Sequence, residues 1–215
     1  MMKALLCGFL ALVGVATLRA DLVIEQKVES QAMNGNSTMK IKGEKARIDM
    51  PPVPLAGNMS MLIDLTSGQM TTLVHGQKIM VKMKMADAKK AIEQQQKVDL
   101  TKIEAPKATG QKEKVGEWNC EIYDVNMGGM TGKWWVTKDF PNYKAVMEQM
   151  NKINLAASGM GFDASKLQLD GMTVKSEMST QLGKMTTTLV KVTEAAVPDS
   201  EFEVPAGYKE MAFGQ

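Results

Sequence analysis

The chain is poor in the residues from which reactive sites are usually built. It has one histidine, His75, and two cysteines, Cys7 and Cys120, among 215 residues. A single histidine excludes a histidine pair for a metal and requires any Ser, His and Asp arrangement to use His75. Aromatic residues make up only 5% of the chain, so Trp118, Trp134 and Trp135 are the main large fillers of any core. No glycine loop that would cradle a phosphate opens a helix. Carboxylate pairs such as Glu201 and Glu203, or Asp163 and Asp170, carry no accompanying signature. The chain also has no long apolar run beyond its start, where Lys3 precedes the apolar stretch Ala4 to Val15 and Arg19-Ala20 lead into polar sequence. That start has the anatomy of a secretory signal with cleavage after Ala20. It is too short to span a bilayer comfortably, and nothing later approaches ~20 consecutive apolar residues.

Charge is equally sparing. The 26 basic and 24 acidic residues become 24 of each once Lys3 and Arg19 leave with the signal. A balanced chain offers no electrostatic footprint for nucleic acid. Cys7 has the bulky Leu6 before it and most of the apolar run after it, which argues against lipidation. Cys120 is then the sole cysteine of the mature chain, so no disulfide can form within it. It shares parity with Trp118 and Ile122 and reads as a buried thiol. An intermolecular disulfide is its alternative use.

What the chain has in excess is methionine, 20 residues in all, set into segments of alternating polarity. Met59, Met61, Ile63 and Leu65 alternate with Ser60, Asp64 and Thr66, and Ile79, Val81, Met83 and Met85 alternate with Lys78, Lys82 and Lys84. Side chains two apart on a strand share a face, so these segments predict strands with one apolar and one wetted side. Strands are expected at Leu22 to Ser30, within Thr38 to Met50, at Met59 to Leu65, Met70 to His75 and Lys78 to Met85. Others follow at Glu117 to Met127, Gly132 to Lys138, Met172 to Gln181 and Met185 to Val192. Turns are placed at Asn34-Gly35-Asn36 and Gly43-Glu44, and loops at Pro51 to Gly57 and Ala105 to Gly116. Two helices interrupt the strands. Ala86 to Lys97 has helical composition and a thin apolar stripe, suiting a lid. Asn142 to Ala157 carries Tyr143, Val146, Met147, Met150, Ile153 and Ala157 at three- and four-residue steps. The tail from Pro198 to Tyr208 predicts a short turn and an edge segment.

Many strands with few helices predict an α+β domain over residues 21–215 after a signal peptide at 1–20: a curved antiparallel sheet with two or more helices over its concave face. Methionine is flexible and polarizable and can line a cavity for irregular apolar ligands. The expected function is non-enzymatic: an exported, periplasmic binding protein holding a lipid, an acyl chain or another apolar partner between sheet and helix. Met61, Ile63, Val81, Met83, Trp134, Met147 and Met150 are the expected lining, with no catalytic residue, no metal ligand and no cofactor. Two alternatives stand beside it. One is a solidly packed structural or interaction module of the cell envelope. The other is Cu(I) binding by Met59-Ser-Met61, Met83-Lys-Met85 and Met127-Gly-Gly-Met130, since thioethers suit soft metals. Residues two apart on a strand lie ~6.6 Å apart, so the three pairs make no coordination sphere unless folding brings them together.

The segment Glu113-Lys-Val-Gly-Glu-Trp-Asn-Cys-Glu-Ile-Tyr123, followed by Gly132-Lys-Trp-Trp-Val-Thr-Lys-Asp139, resembles an exported bacterial family, domain of unknown function 4412. Gly116, Trp118, Cys120 and Tyr123 fit its first strand, Trp135 to Asp139 its second, and Val204-Pro-Ala-Gly-Tyr208 its terminal segment. The resemblance implies a fold similar to the LolA-type periplasmic lipoprotein carriers, a half-open antiparallel barrel closed by helices. It brings no catalytic residues, and fold alone does not carry function; the expected partners are an apolar ligand, a lipid or a lipoprotein, with transient contact to the envelope membrane or a membrane protein.

Overall fold

The computed structural model of the chain describes residues 20–31, 33–87, 103–157, 169–180 and 183–212. Twelve strands form one sheet: β1 (Leu22–Glu29), β2 (Asn34–Lys42), β3 (Lys45–Val53), β4 (Gly57–Asp64), β5 (Gln69–Val74), β6 (Ile79–Lys84), β7 (Lys107–Val115), β8 (Trp118–Met127), β9 (Met130–Thr137), β10 (Met172–Thr180), β11 (Gly183–Glu194) and β12 (Lys209–Met211). One helix, α1, spans Tyr143–Ala157, and a 3₁₀ turn spans Asp199–Phe202. The spatial order is β12-β6-β5-β4-β3-β2-β1-β11-β10-β9-β8-β7. Two meanders, β1 to β6 and β7 to β11, are thus joined where β1 pairs with β11. Every ladder is antiparallel except the short parallel pair of β12 with β6. The sheet is curved and unclosed, with β12 and β7 as its edges.

The alternation in sequence becomes two apolar rows across this sheet, because directly opposed residues of antiparallel strands share a face. One row runs Met83, Met70, Ile63, Ala46, Ile41, Leu22. The next runs Val81, Thr72, Met61, Ile48, Met39, Ile24 and Val192. Helix α1 lies over this face with Val146, Met150 and Ile153 buried and Tyr143 and Met147 packed beside them. These are the apolar positions of its 3.6-residue period. Asn142, at φ 54°, turns the chain after Pro141, and its carbonyl accepts from the amides of Ala145 and Val146 at 3.0 and 3.2 Å.

Several expectations are corrected. Asn34-Gly35-Asn36 lies inside β2, and the turn sits earlier, where the Ser30 amide bonds the Met33 carbonyl. The Pro51 segment is not a plain loop: β3 continues to Val53, and its pairing skips from Met50 to Val53. Two prolines without amide hydrogens cannot hold ladder bonds, so the register breaks there and resumes. Ala105 to Gly116 contains the edge strand β7, with its own break between Ala108 and Lys112. Exposed lysines and glutamates disguise it as a connection, yet such charge is how an edge strand resists pairing with other chains. Among the described residues α1 is the single long helix over the apolar face, where two or more were expected. Of the second, Ala86 to Lys97, only Ala86 and Asp87 are described; they are helical, and residues 88–102 lie outside the described residues.

Candidate functional site

The apolar face is not equally covered. Beneath α1 the core is enclosed: Leu22, Ile24, Ile41, Ile63, Met172 and Val174 are all essentially inaccessible. At the start of the helix it opens into a groove of about 320 Å³. Trp118, Phe140, Val146, Leu189 and Val192 form its apolar surface, Val190 stands at its lip, and Glu117, Lys191 and Glu194 add charge. All five of those apolar residues belong to, or pack against, the buried core. The groove is therefore an opening onto the core rather than a surface dimple. The Trp118 and Phe140 rings meet at a centroid distance of 5.2 Å and tilt by 46°, bracing one wall. The opposite wall bends because the β1–β11 pairing shifts after Glu25, leaving Val190 as an extra residue, 61% exposed. An aliphatic side chain held out beside an apolar groove is the unusual feature of this end.

A polar tie holds the helix start in place. Tyr143 donates to Asp170 Oδ1 at 2.5 Å, and Lys138 Nζ reaches Asp170 Oδ2 at 2.6 Å. The Lys138 ammonium and then the Tyr143 hydroxyl hold the Asp170 carboxyl below its usual range, while Asp170 raises Lys138. A depressed carboxyl contributes stability that is complete above its unfolded value and lost as pH falls through its folded one. A raised lysine does the reverse at the alkaline end. Acid is thus expected to loosen the first turn of α1 before the sheet unfolds, and Asp170→Asn should reproduce this at neutral pH. Faster amide exchange confined to residues 143–147 is the measurement that checks it.

The nominated lining residues separate on this map. Ile63 and Met150 are buried in the core, and Met61, Met83 and Met147 are half-buried against it. Val81 is half-buried on the same face, opposite Thr72 and beside β12. Trp134 is not in that core; its neighbour Trp135 is, 4% exposed. Trp135 suits the buried place because its indole N–H donates to Glu113 at 2.8 Å and the Lys175 ammonium stands 4.1 Å over its ring. Trp134 lies half-buried between Tyr123 and Ser176. None of the seven lines the groove, although Met150 lies one helical turn from Val146. The sequence carried a signal for Trp118, an aromatic sharing parity with Cys120 and Ile122. It carried none for Leu189 and Val190, whose placement follows from the register shift.

The wetted face has its own construction. Arg47 Nε bonds Asp49 Oδ1 at 2.8 Å, Arg47 Nη2 donates to Ser60 at 3.2 Å, and Ser60 donates to Asp49 Oδ1 at 2.5 Å. His75 Nε2 lies 2.6 Å from Ser60 Oγ, and its Nδ1 lies 2.5 Å from the Tyr208 hydroxyl. Ser60 has one proton, which goes to Asp49, so His75 Nε2 must be a donor to it. A nucleophilic serine needs the opposite arrangement, a ring nitrogen accepting its proton. Ser60 is also 1% exposed. This Ser, His and Asp set fastens the C-terminal segment across the sheet and does not activate Ser60. Lys42 on the Val197 carbonyl and Lys40 on Glu201, at 2.8 and 2.9 Å, fasten the same segment.

A second cleft, about 530 Å³, is lined by Glu104, Lys107, Asp124, Lys133, Glu177 and Lys184 together with smaller residues. Its lysines are matched to its acids, Lys107 to Glu104, Lys133 to Asp124 and Lys184 to Glu177, so it presents no field of one sign. Cys120 is 2% exposed, and burial pushes its thiol above the ordinary value. Among the described residues no group of His, Cys, Asp and Glu gathers as a metal site, and no helix is long and apolar enough to cross a membrane.

No curated protein matches the chain. Among solved structures it is similar to PNGF-II, at 11% identity and a TM-score of 0.43, over 90% of this chain and 31% of that one; it spans about a third of that protein's length. An uncharacterized conserved protein from Thermus thermophilus is similar at 9% identity and a TM-score of 0.48, over 91% of both chains. The Mycobacterium tuberculosis lipoprotein LppX is similar at 8% identity and a TM-score of 0.46, over 84% of this chain and 90% of that one. A family model matches residues 22–208, nearly the whole chain after its apolar start, and the protein belongs to that family, the domain of unknown function DUF4412.

Proposed function

We propose that this protein is a non-enzymatic exported carrier that seats an acyl chain or similar apolar group in the groove at the start of α1. The observation that carries the reading is the continuity of Trp118, Phe140, Val146, Leu189 and Val192 with the buried core. A chain entering there exchanges water for apolar contact on several sides and gains ~0.8 kcal/mol per buried methylene. The volume falls at the lower end of the range for small-molecule sites, roughly 300–1,000 Å³, so one chain or part of one fits. The charged rim of Glu117, Lys191 and Glu194 leaves a polar headgroup in water. The apolar, Lys3-led start of the sequence supports export. The enclosure of the core beneath α1 suits a different account, a packed envelope module with no ligand, and one experiment separates the two.

That experiment pairs native mass spectrometry of freshly purified protein with titration of a fluorescent fatty acid. A carrier retains or takes up one apolar molecule, and the probe is displaced by unlabelled acyl chains. Val190→Lys, a change at an exposed position, places an ammonium at the lip and is expected to weaken the probe by roughly a factor of five to ten without altering the melting temperature. Ligand-free protein that ignores the probe establishes the packed module instead.

A further inference from the structure

The two Met-x-Met motifs, on β4 and on β6 with its following residue, each acquire a third methionine from the preceding strand. Met50 on β3 stands directly opposite Met59, whose partner in sequence is Met61. Met70 on β5 stands directly opposite Met83, whose partner is Met85. Opposed residues place their Cβ atoms ~4.5–5.5 Å apart, and residues two apart on a strand are separated by ~6.6 Å. Three long, unbranched side chains rooted at such spacings can bring their sulfurs to one point. The two trios differ in cover. Met70 is buried at 8% exposure, whereas Met50, Met59 and Met61 are each half-buried.

We propose that Met50, Met59 and Met61 form a site for a soft monovalent cation, Cu(I) or its analogue Ag(I), held by three thioethers. The carboxylate, serine and imidazole residues in between point the other way, which leaves the thioethers on the inner face with the Thr72 hydroxyl opposite Met61. Asp49, Ser60 and His75 are committed to one another and to Arg47 and Tyr208 on the wetted face. Ile48, Thr72 and Val74 stand opposite or beside the trio on its own face. A site with no imidazole or carboxylate discriminates against Zn(II) and other harder divalent ions. Thioethers also do not pair into disulfides, so the site is not closed by the reaction that would close a thiol pair. The site is separate from the acyl groove and does not depend on it.

The test is anaerobic titration of the full chain with Cu(I) against a chromophoric Cu(I) chelator, repeated with Ag(I) in air. The wild type is expected to withdraw one equivalent from the chelator and to withdraw no Zn(II) from a zinc indicator. Met50→Leu, Met59→Leu and Met61→Leu combined should abolish that equivalent, while Met83→Leu with Met85→Leu should keep it. Leucine preserves volume and apolarity, and circular dichroism of the metal-free proteins reports whether the variants remain folded. X-ray absorption on the copper-loaded wild type supplies a reading independent of any variant, with sulfur as the expected nearest scatterer. Undiminished binding in the triple variant, equal loss in both variants, or nitrogen and oxygen scatterers would each overturn the assignment.

Discussion

Ile153→Ala is expected to destabilise the protein by about 2–5 kcal/mol. Ile153 is 1% exposed and lies in the core formed where α1 meets the sheet. Truncation removes the apolar transfer energy of three carbons and leaves a hole, because the sheet beneath is held by ladders on both sides and cannot settle into it. Met147, on the same helix face but half-buried, provides the contrast. Met147→Leu keeps volume and should cost less than about 1.5 kcal/mol. Urea unfolding followed by tryptophan fluorescence measures both, with an unchanged dependence on denaturant showing that native stability rather than the unfolded state has moved. A small effect at Ile153 would mean that the helix rests loosely on the sheet. The whole apolar face would then be a cavity rather than a floor, and the binding site would move from the groove to the space beneath α1.

Much of this architecture was written in local pattern. The alternation in Met59 to Leu65 and Ile79 to Met85 marks the inner face because a strand's side chains repeat every two residues. The spacing of Val146, Met150 and Ile153 marks the buried side of α1 for the corresponding helical reason. Other features depend on what a strand lies beside. The Lys107 to Val115 edge is polar on both sides, and no period distinguishes it from a loop. Pro51 and Pro52 read as a break in structure, yet a strand can absorb two missing donors when its register slips around them. The choice between Trp134 and Trp135 was invisible to alternation, which allots one to each face without saying which face is covered. Glu113 and Lys175, distant in sequence, make the Trp135 position the better buried one.

The candidate site was less legible than the fold for the same reason. Trp118 could be found by parity, but Leu189 and Val190 lie next to a register shift, and a shift is a relation between two strands rather than a property of one. His75 shows the converse. As the sole histidine it attracts a catalytic reading, and Ser60 and Asp49 do gather at it. The direction of their hydrogen bonds then assigns the histidine to holding Tyr208, the last residue of the span matched by the family model. Chemistry that looks reactive in composition is spent here on fastening the chain end.

Among the described glycines, Gly132→Ala should be the most damaging change. A Cβ at Gly132 would lie 2.0 Å from the Glu177 carbonyl oxygen, 2.7 Å from Met178 Sδ and 3.0 Å from the Glu177 carbonyl carbon. Met178 Sδ ends a flexible side chain and can swing aside, but the carbonyl belongs to β10, paired with β9 through Gly132 and Met178. Relief therefore requires the two strands to part, and they join the β7–β9 edge to the rest of the sheet. Trp135 on β9 and Val174 on β10 both belong to the core under α1, so separation at Gly132 also disturbs that packing. Overpacking in a yielding core costs about 1–3 kcal/mol and occasionally more; where backbone must move, a loss of about 3 kcal/mol or more is expected. Gly129, in the β8–β9 hairpin at φ 108°, is the matched control. A Cβ there meets nothing within 4 Å, leaving only the backbone penalty of an unfavourable conformation, about 1–2 kcal/mol. Thermal melts of the two variants, read together with near-ultraviolet circular dichroism of the tryptophans, should rank Gly132→Ala well below Gly129→Ala. Equal melts would mean that β9 and β10 are not held as a tight pair, and the groove, one of whose walls is β11 on the other side of β10, would lose its rigid support.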